Sequence, residues 1–163
     1  MATFDLIKQL RLDLVDPTNV VNLISVATPA NLPTAPKHQT AYRIESTGAY
    51  VFSDLKSGAT PSSYNEMDLQ ISDDRLAGWL DSLTYLQAKI KGLKAIISRI
   101  ASKLPLVRDI SGAETSEYQT LMDTFTFYKN LLAEAVAEEN IDTGTAAGRY
   151  GRTHQPRIAG GNV

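Results

Sequence analysis

Few side chains in this sequence stand where they could do chemistry. His38 lies in the proline-rich stretch "ATPANLPTAPKH" and His154 near the C-terminus. Neither has a carboxylate or a second histidine at the spacing a metal ion needs. The chain has no cysteine, which excludes disulfides and thiolate sites. Asp73 and Asp74 could pair as acids, but they follow Ser72 at the start of a periodic apolar run, where capping and the helix dipole account for both. The glycines of "GTAAGRYG" are spaced GxxxGxxG and follow a helical pattern. That fits neither the P-loop nor the dinucleotide fingerprint. No GxSxG elbow is present, although a triad assembled from distant residues would leave no local trace. The expectation is a chain that is not an enzyme, with no catalytic residue, no metal site and no cofactor.

Cationic residues fall in two places. Lys89, Lys91, Lys94, Arg99 and Lys103 form a basic run, and Arg149, Arg152 and Arg157 follow the last acid, Asp142. The first group could face phosphates, and a passing contact with DNA inside a channel needs no motif. It could equally be a solvated face balanced by acids elsewhere. A net charge of −2 argues against a generally basic nucleic-acid binder, and no recognition motif predicts sequence-specific binding.

The elements that would position these residues are mostly helical. Thr3 can cap a helix carrying Phe4, Ile7, Leu10 and Leu14, and "DPTNVVNLIS" reads as a second short helix with Asp16 as its cap. Ala27 to His38 holds three prolines and reads as an extended loop. Tyr42 and Ile44, a turn at Thr47-Gly48, and Tyr50 to Phe52 predict two strands. Met67, Leu69 and Ile71 alternate as a third. The tyrosines Tyr42, Tyr50 and Tyr64 suit packing under helices as well as they suit a ligand.

The strongest periodicity begins at Ser72. Leu76, Trp79, Leu83, Leu86, Ile90, Leu93, Ile97, Ile100 and Leu104 step by three and four without exception. This predicts one helix from Ser72 to Leu104, closed by Pro105, with Trp79 in its core. At 1.5 Å per residue such a helix is about 50 Å long, more than the roughly 40 Å diameter of a compact domain of this size. A second seam of Tyr118, Leu121, Phe125, Tyr128, Leu132 and Ala135 predicts an antiparallel partner helix. Its acids Glu114, Glu117 and Asp123 would then lie beside the basic end of the first helix. Glu134, Glu138 and Glu139 crowd its C-terminus, where the dipole disfavours negative charge by about 0.3–1 kcal/mol each. Either cations from the tail or a partner meet them, or they form a solvated acidic turn.

Together these features predict a mainly α protein with a small β meander, N-terminal helices, a long antiparallel helical hairpin and an extended C-terminal arm. The expected division is a helical domain over 1–141, with a strand-containing insertion at about 40–71, and an arm over 142–163. With 43% hydrophobic and 21% charged residues the class is globular. No apolar run approaches the roughly 20 residues that span a bilayer, so no membrane is expected. "MATFDLIKQLRLDLVD" lacks the apolar core of a signal peptide, which predicts a cytoplasmic protein, or one assembled in the cytoplasm. In the arm, Gly144, Gly148, Gly151, Gly160 and Gly161 discourage helix, and Arg149, Tyr150, Arg152, Pro156, Arg157 and Ile158 are isolated anchors. Such anchors on a flexible backbone are what a groove-binding peptide offers.

An N-terminal helix ("TFDLIKQLRLDLVD"), a heptad-patterned hairpin and a Gly/Arg-rich end ("RTHQPRIAGGNV") resemble the head-to-tail adaptor, or connector, proteins of tailed bacteriophages. The resemblance implies a virion structural protein of the neck, assembled in the host cytoplasm as a homo-oligomeric ring, usually a dodecamer. It implies a portal protein and a downstream tail or neck protein as partners. The arm residues would then carry the portal contact, and the basic run would face the DNA channel or an adjacent subunit. The alternatives are another coiled-coil-type tail, baseplate or scaffold component, or a non-viral helical interaction module.

Overall fold

The computed structural model describes residues 3–16, 19–111 and 116–142, with the backbone alone at 108–111 and 142. Helix α1 spans Phe4–Asp13 and is followed by four strands: β1 (Asn22–Val26), β2 (Thr40–Ile44), β3 (Tyr50–Phe52) and β4 (Asn65–Glu66). Three helices complete the order, α2 (Asp73–Ser82), α3 (Tyr85–Ser111) and α4 (Ser116–Asp142). The protein is mainly α with a small mixed sheet.

The sheet is ordered β1-β2-β3-β4, with β1 parallel to β2 and the other pairings antiparallel. The β2–β3 turn forms where expected. Gly48 takes φ +73° and its N–H donates to the Ile44 carbonyl at 2.7 Å, a conformation glycine adopts without steric cost. Alternation divides the faces. Tyr42, Ile44 and Val51 pack with Leu32, Ala59 and Tyr64 under the loops, and the Tyr42 and Tyr64 rings meet edge to face. Ala41 and Tyr50 pack with Val20 and Leu23 on the other side.

Several sequence expectations fail here for identifiable reasons. The second short helix is instead β1, because the β-branched run "VVNLISV" pairs with β2 from Asn22↔Thr40 to Val26↔Ile44. The sheet therefore starts at Asn22, upstream of the expected insertion. Pro17 lies outside the described residues. The third strand is only Asn65–Glu66, after which Ile71 turns into the helical core.

The expected Ser72–Leu104 helix is two helices. Leu83 is extended (φ −129°, ψ 161°), and Thr84 opens α3. Thr84 Oγ1 accepts the Gln87 N–H at 3.3 Å while Gln87 Oε1 accepts the Thr84 N–H at 3.3 Å, a reciprocal capping box. The spacing of three and four runs unbroken through the junction because α2 and α3 both feed one core. Nor does Pro105 end α3. The helix continues to Ser111 with Pro105 inside it and solvent-exposed, while Leu104 and Val107 stay half-buried. An interior proline costs a helix roughly 3 kcal/mol.

That core joins Ile7, Leu10 and Leu14 of the α1 region to Leu76 and Trp79 of α2, Leu93, Ile96 and Ile100 of α3, and Tyr128 and Ala135 of α4. Trp79 is buried, as its seam position predicts. Gly92 lets α1 approach α3 closely: a Cβ there would stand 2.7 Å from the Leu14 methyls. Helices α3 and α4 lie side by side in opposite directions. Glu138 and Glu139 border a groove with Thr84 to Lys89, whereas Leu121 and Thr124 border a cleft with Ile100 and Lys103. Burial fades along the pair. Beyond Ile100, α3 exposes Ala101, Ser102, Lys103, Pro105 and Leu106, the last at 62%.

Candidate functional site

The densest polar arrangement gathers around Arg11, near the C-terminus of α1. Its side chain is wholly inaccessible to solvent. Nε and Nη2 donate to Asp73 Oδ1 at 2.9 and 2.8 Å, Nη1 donates to Asp16 Oδ2 at 3.1 Å, and Nη2 also donates to the Ile71 carbonyl at 2.7 Å. Asp73, the first residue of α2, is the hub. It also accepts Arg43 Nε from β2 at 3.0 Å and the Tyr50 hydroxyl from β3 at 3.0 Å. The Arg11 guanidinium lies 4.9 Å above the Tyr50 ring. Asp16 accepts the Gln70 and Ile71 N–H groups at 2.9 and 3.1 Å. One cluster thus ties α1, both middle strands and the start of α2 together.

Two guanidinium cations face two carboxylates, so the formal charge cancels. Among the described residues no buried side-chain nitrogen or oxygen lacks a partner. Burial holds the Asp16 carboxyl above its ordinary value, against Arg11 and the two N–H groups that pull it down. Burial likewise pushes the Tyr50 hydroxyl up to about 12. The cluster's evident work is to lock the sheet onto the helices.

A second polar anchor holds α3 and α4 to the end of α1. That end is a Schellman motif, with the Asp16 N–H donating to the Arg11 carbonyl and the Val15 N–H to the Leu12 carbonyl, both at 3.0 Å. The left-handed position is filled by Val15 (φ +52°), a β-branched residue where glycine is usual. The Tyr128 hydroxyl of α4 donates to the Val15 carbonyl at 2.9 Å, and the Tyr85 hydroxyl of α3 donates to Asp13 Oδ2 at 2.9 Å. Burial raises the pKa of both tyrosines, Tyr128 to about 12. Beside Val15 opens a cleft of about 320 Å³ bordered by Asp16, Asp68, Gln70, Lys103 and Tyr128.

The residues of the expected basic face are spread along α3. Arg99 Nη1 donates to the Gln70 carbonyl at 2.9 Å, Lys103 borders the cleft, and Lys89 borders the groove with Glu138 and Glu139. Lys91, Lys94, Arg99 and Lys103 are all exposed, with Lys91 Nζ 5.5 Å from the Trp79 ring centre. The anchors Arg149, Tyr150, Arg152, Pro156, Arg157 and Ile158, and Glu114, lie outside the described residues.

Asp73 was legible in the sequence as a helix-start acid, which accounts for only part of what it does. Arg11, Asp16, Arg43 and Tyr50 gave no signal, because 62 residues separate Arg11 from Asp73 and 30 separate Arg43 from it. The Thr84–Gln87 box did carry one, the "TYLQ" pattern, hidden by the seam that crosses it. His38 lies on an exposed loop, and among the described residues no three His, Asp or Glu side chains converge as a metal would need. No described helix is long and apolar enough to cross a membrane. No family model, curated protein or solved structure matches this chain.

Proposed function

We propose that this protein is a structural virion component, a ring-forming head-to-tail adaptor that joins a portal to a tail. In this reading the hairpin of α3 and α4 is an assembly element, and residues 142–163 are an arm that docks on the portal or on an adjacent subunit. The observation that carries the reading is the helix pair. Each helix is 27 residues, about 40 Å, and extends past the core it helps to build. Leu106, Phe127 and Ile141 are 62%, 45% and 72% exposed along it, apolar side chains open to a neighbouring subunit. The Arg11 cluster fits the same reading, since it stiffens the body.

The break at Leu83–Thr84 removes the basis for a continuous coiled-coil rod, so the tail or baseplate alternative is weaker. The test is binding to a purified portal ring, read by co-sedimentation and by native mass spectrometry. The full chain should bind with the copy number of a ring, twelve on a twelve-fold portal. A chain ending at Asp142 should keep its helical circular dichroism and lose binding. Three or six bound copies would favour the coiled-coil component, and absence of binding by the full chain would refute the adaptor reading.

A further inference from the structure

The outward side of α4 repeats in steps of three and four through Asp123, Phe127, Asn130, Glu134, Ala137 and Ile141, all exposed. This stripe lies opposite the one that buries Tyr128 and Ala135. On α3, the side turned from both α1 and α4 carries Lys91, Lys94, Ser98, Ala101 and Ser102, also exposed. One stripe is acidic with apolar knobs, the other basic with small residues. Among the described residues Lys94, Glu134 and Glu138 have no ion-pair partner.

Heights along the pair make the two stripes complementary. Because Glu138 borders Gln87 and Lys89 while Thr124 borders Ile100, an α3 residue and its α4 neighbour have numbers summing to about 225. Lys91 is therefore level with Glu134, and Lys94 stands one turn from it. Phe127 is level with Ser98, next to Ala101 and Ser102, whose small side chains leave room for a ring. A rotation about an axis parallel to the helix pair preserves these heights from one copy to the next.

We infer that the outer stripe of α4 docks on the outer stripe of α3 in a second copy of this chain, with Glu134 and Glu138 against Lys91 and Lys94 and Phe127 seated over Ser98. The two patches differ, so the contact is head to tail and extends past two copies until it closes. This inference rests on the ring-forming reading and gives it a specific subunit interface.

Charge swapping tests it on the full chain, with mass read by light scattering and native mass spectrometry. Lys94→Glu and Glu134→Lys, both at exposed helix positions, should each raise the concentration for half-assembly by at least about tenfold, because like charges then face each other. The double variant should return to near the wild-type value, and mixing the two single variants should restore assembly. Sodium chloride at 0.5 M should weaken the wild-type assembly. Far-UV circular dichroism checks that each variant folds. Wild-type assembly that ignores both reversals, a double variant that stays dissociated, or a complex that stops at two copies overturns the interface. A chain that binds portal but never self-associates overturns this inference and leaves the adaptor reading intact. Charge-dependent assembly without portal binding does the reverse.

Discussion

Arg11 Nη2 and Asp73 Oδ1 are 2.8 Å apart, with the arginine side chain fully buried and the aspartate 20% exposed. Without Asp73, Arg11 keeps Asp16 as its counter-ion, but buried donors of Arg11 and the Tyr50 hydroxyl lose their acceptor, which costs about 1–3 kcal/mol. Asp73→Ala should therefore lower stability by that amount in urea unfolding followed by circular dichroism. Arg43→Gln removes a cation that is 24% exposed and should cost about 1 kcal/mol or less. Equal losses from the two variants would show that Asp73 is not the hub the geometry describes.

Alkaline pH should unfold the protein through its tyrosines. Burial raises Tyr50 and Tyr128 to about 12 and also lifts Tyr85, against an unfolded value of 10.0. The native state then holds these protons more tightly than the unfolded chain, so their stabilisation is complete below pH 10 and is lost as the pH rises from 10 towards 12. Absorbance at 295 nm should show part of the seven tyrosines ionising only as helicity is lost. Titration of all seven near pH 10 with the native spectrum intact would contradict this. Asp16, lifted above 3.8 by burial, acts in the same sense at the acid end: its share of stability falls as the pH rises above 3.8. Asp16→Asn should remove that slope.

Val15 occupies a backbone conformation that suits glycine. Val15→Gly relieves about 1 kcal/mol of strain and keeps the Tyr128 bond, which uses the Val15 carbonyl. The expected result is a rise of a few degrees in Tm by calorimetry, and a fall in Tm would show that the half-buried valine side chain contributes more than its strain costs.

The junction of α2 and α3 makes a prediction of its own. Thr84→Ala deletes one half of the capping box and should cost about 1 kcal/mol. Gly92→Ala would gain about 1 kcal/mol in helix propensity if Leu14 were absent, but its Cβ would stand 2.7 Å from Leu14. In a double-mutant cycle with Leu14→Ala, measured by chemical denaturation, Gly92→Ala should destabilise the wild type and be tolerated in the Leu14→Ala background. Additive effects would mean that the two residues do not meet.

Local patterns in the sequence determined much of the framework: the start of α1, the β2–β3 turn at Gly48, the periodic faces of α3 and α4, and Trp79 in the core. Each follows from neighbours within a few residues, where backbone propensity and side-chain period act directly. Tertiary structure decided what those patterns left ambiguous. The unbroken spacing of three and four could not reveal the Leu83–Thr84 break, since both helices bury the same stripe. Nor could Asn22–Val26 show that a parallel partner lay 18 residues on. Arg11 and Asp73 each had an ordinary local role, at the end of one helix and the start of the next. Only the folding of α1 against the sheet and α2 made them one buried pair, because a contact between distant residues leaves no periodic mark along the chain.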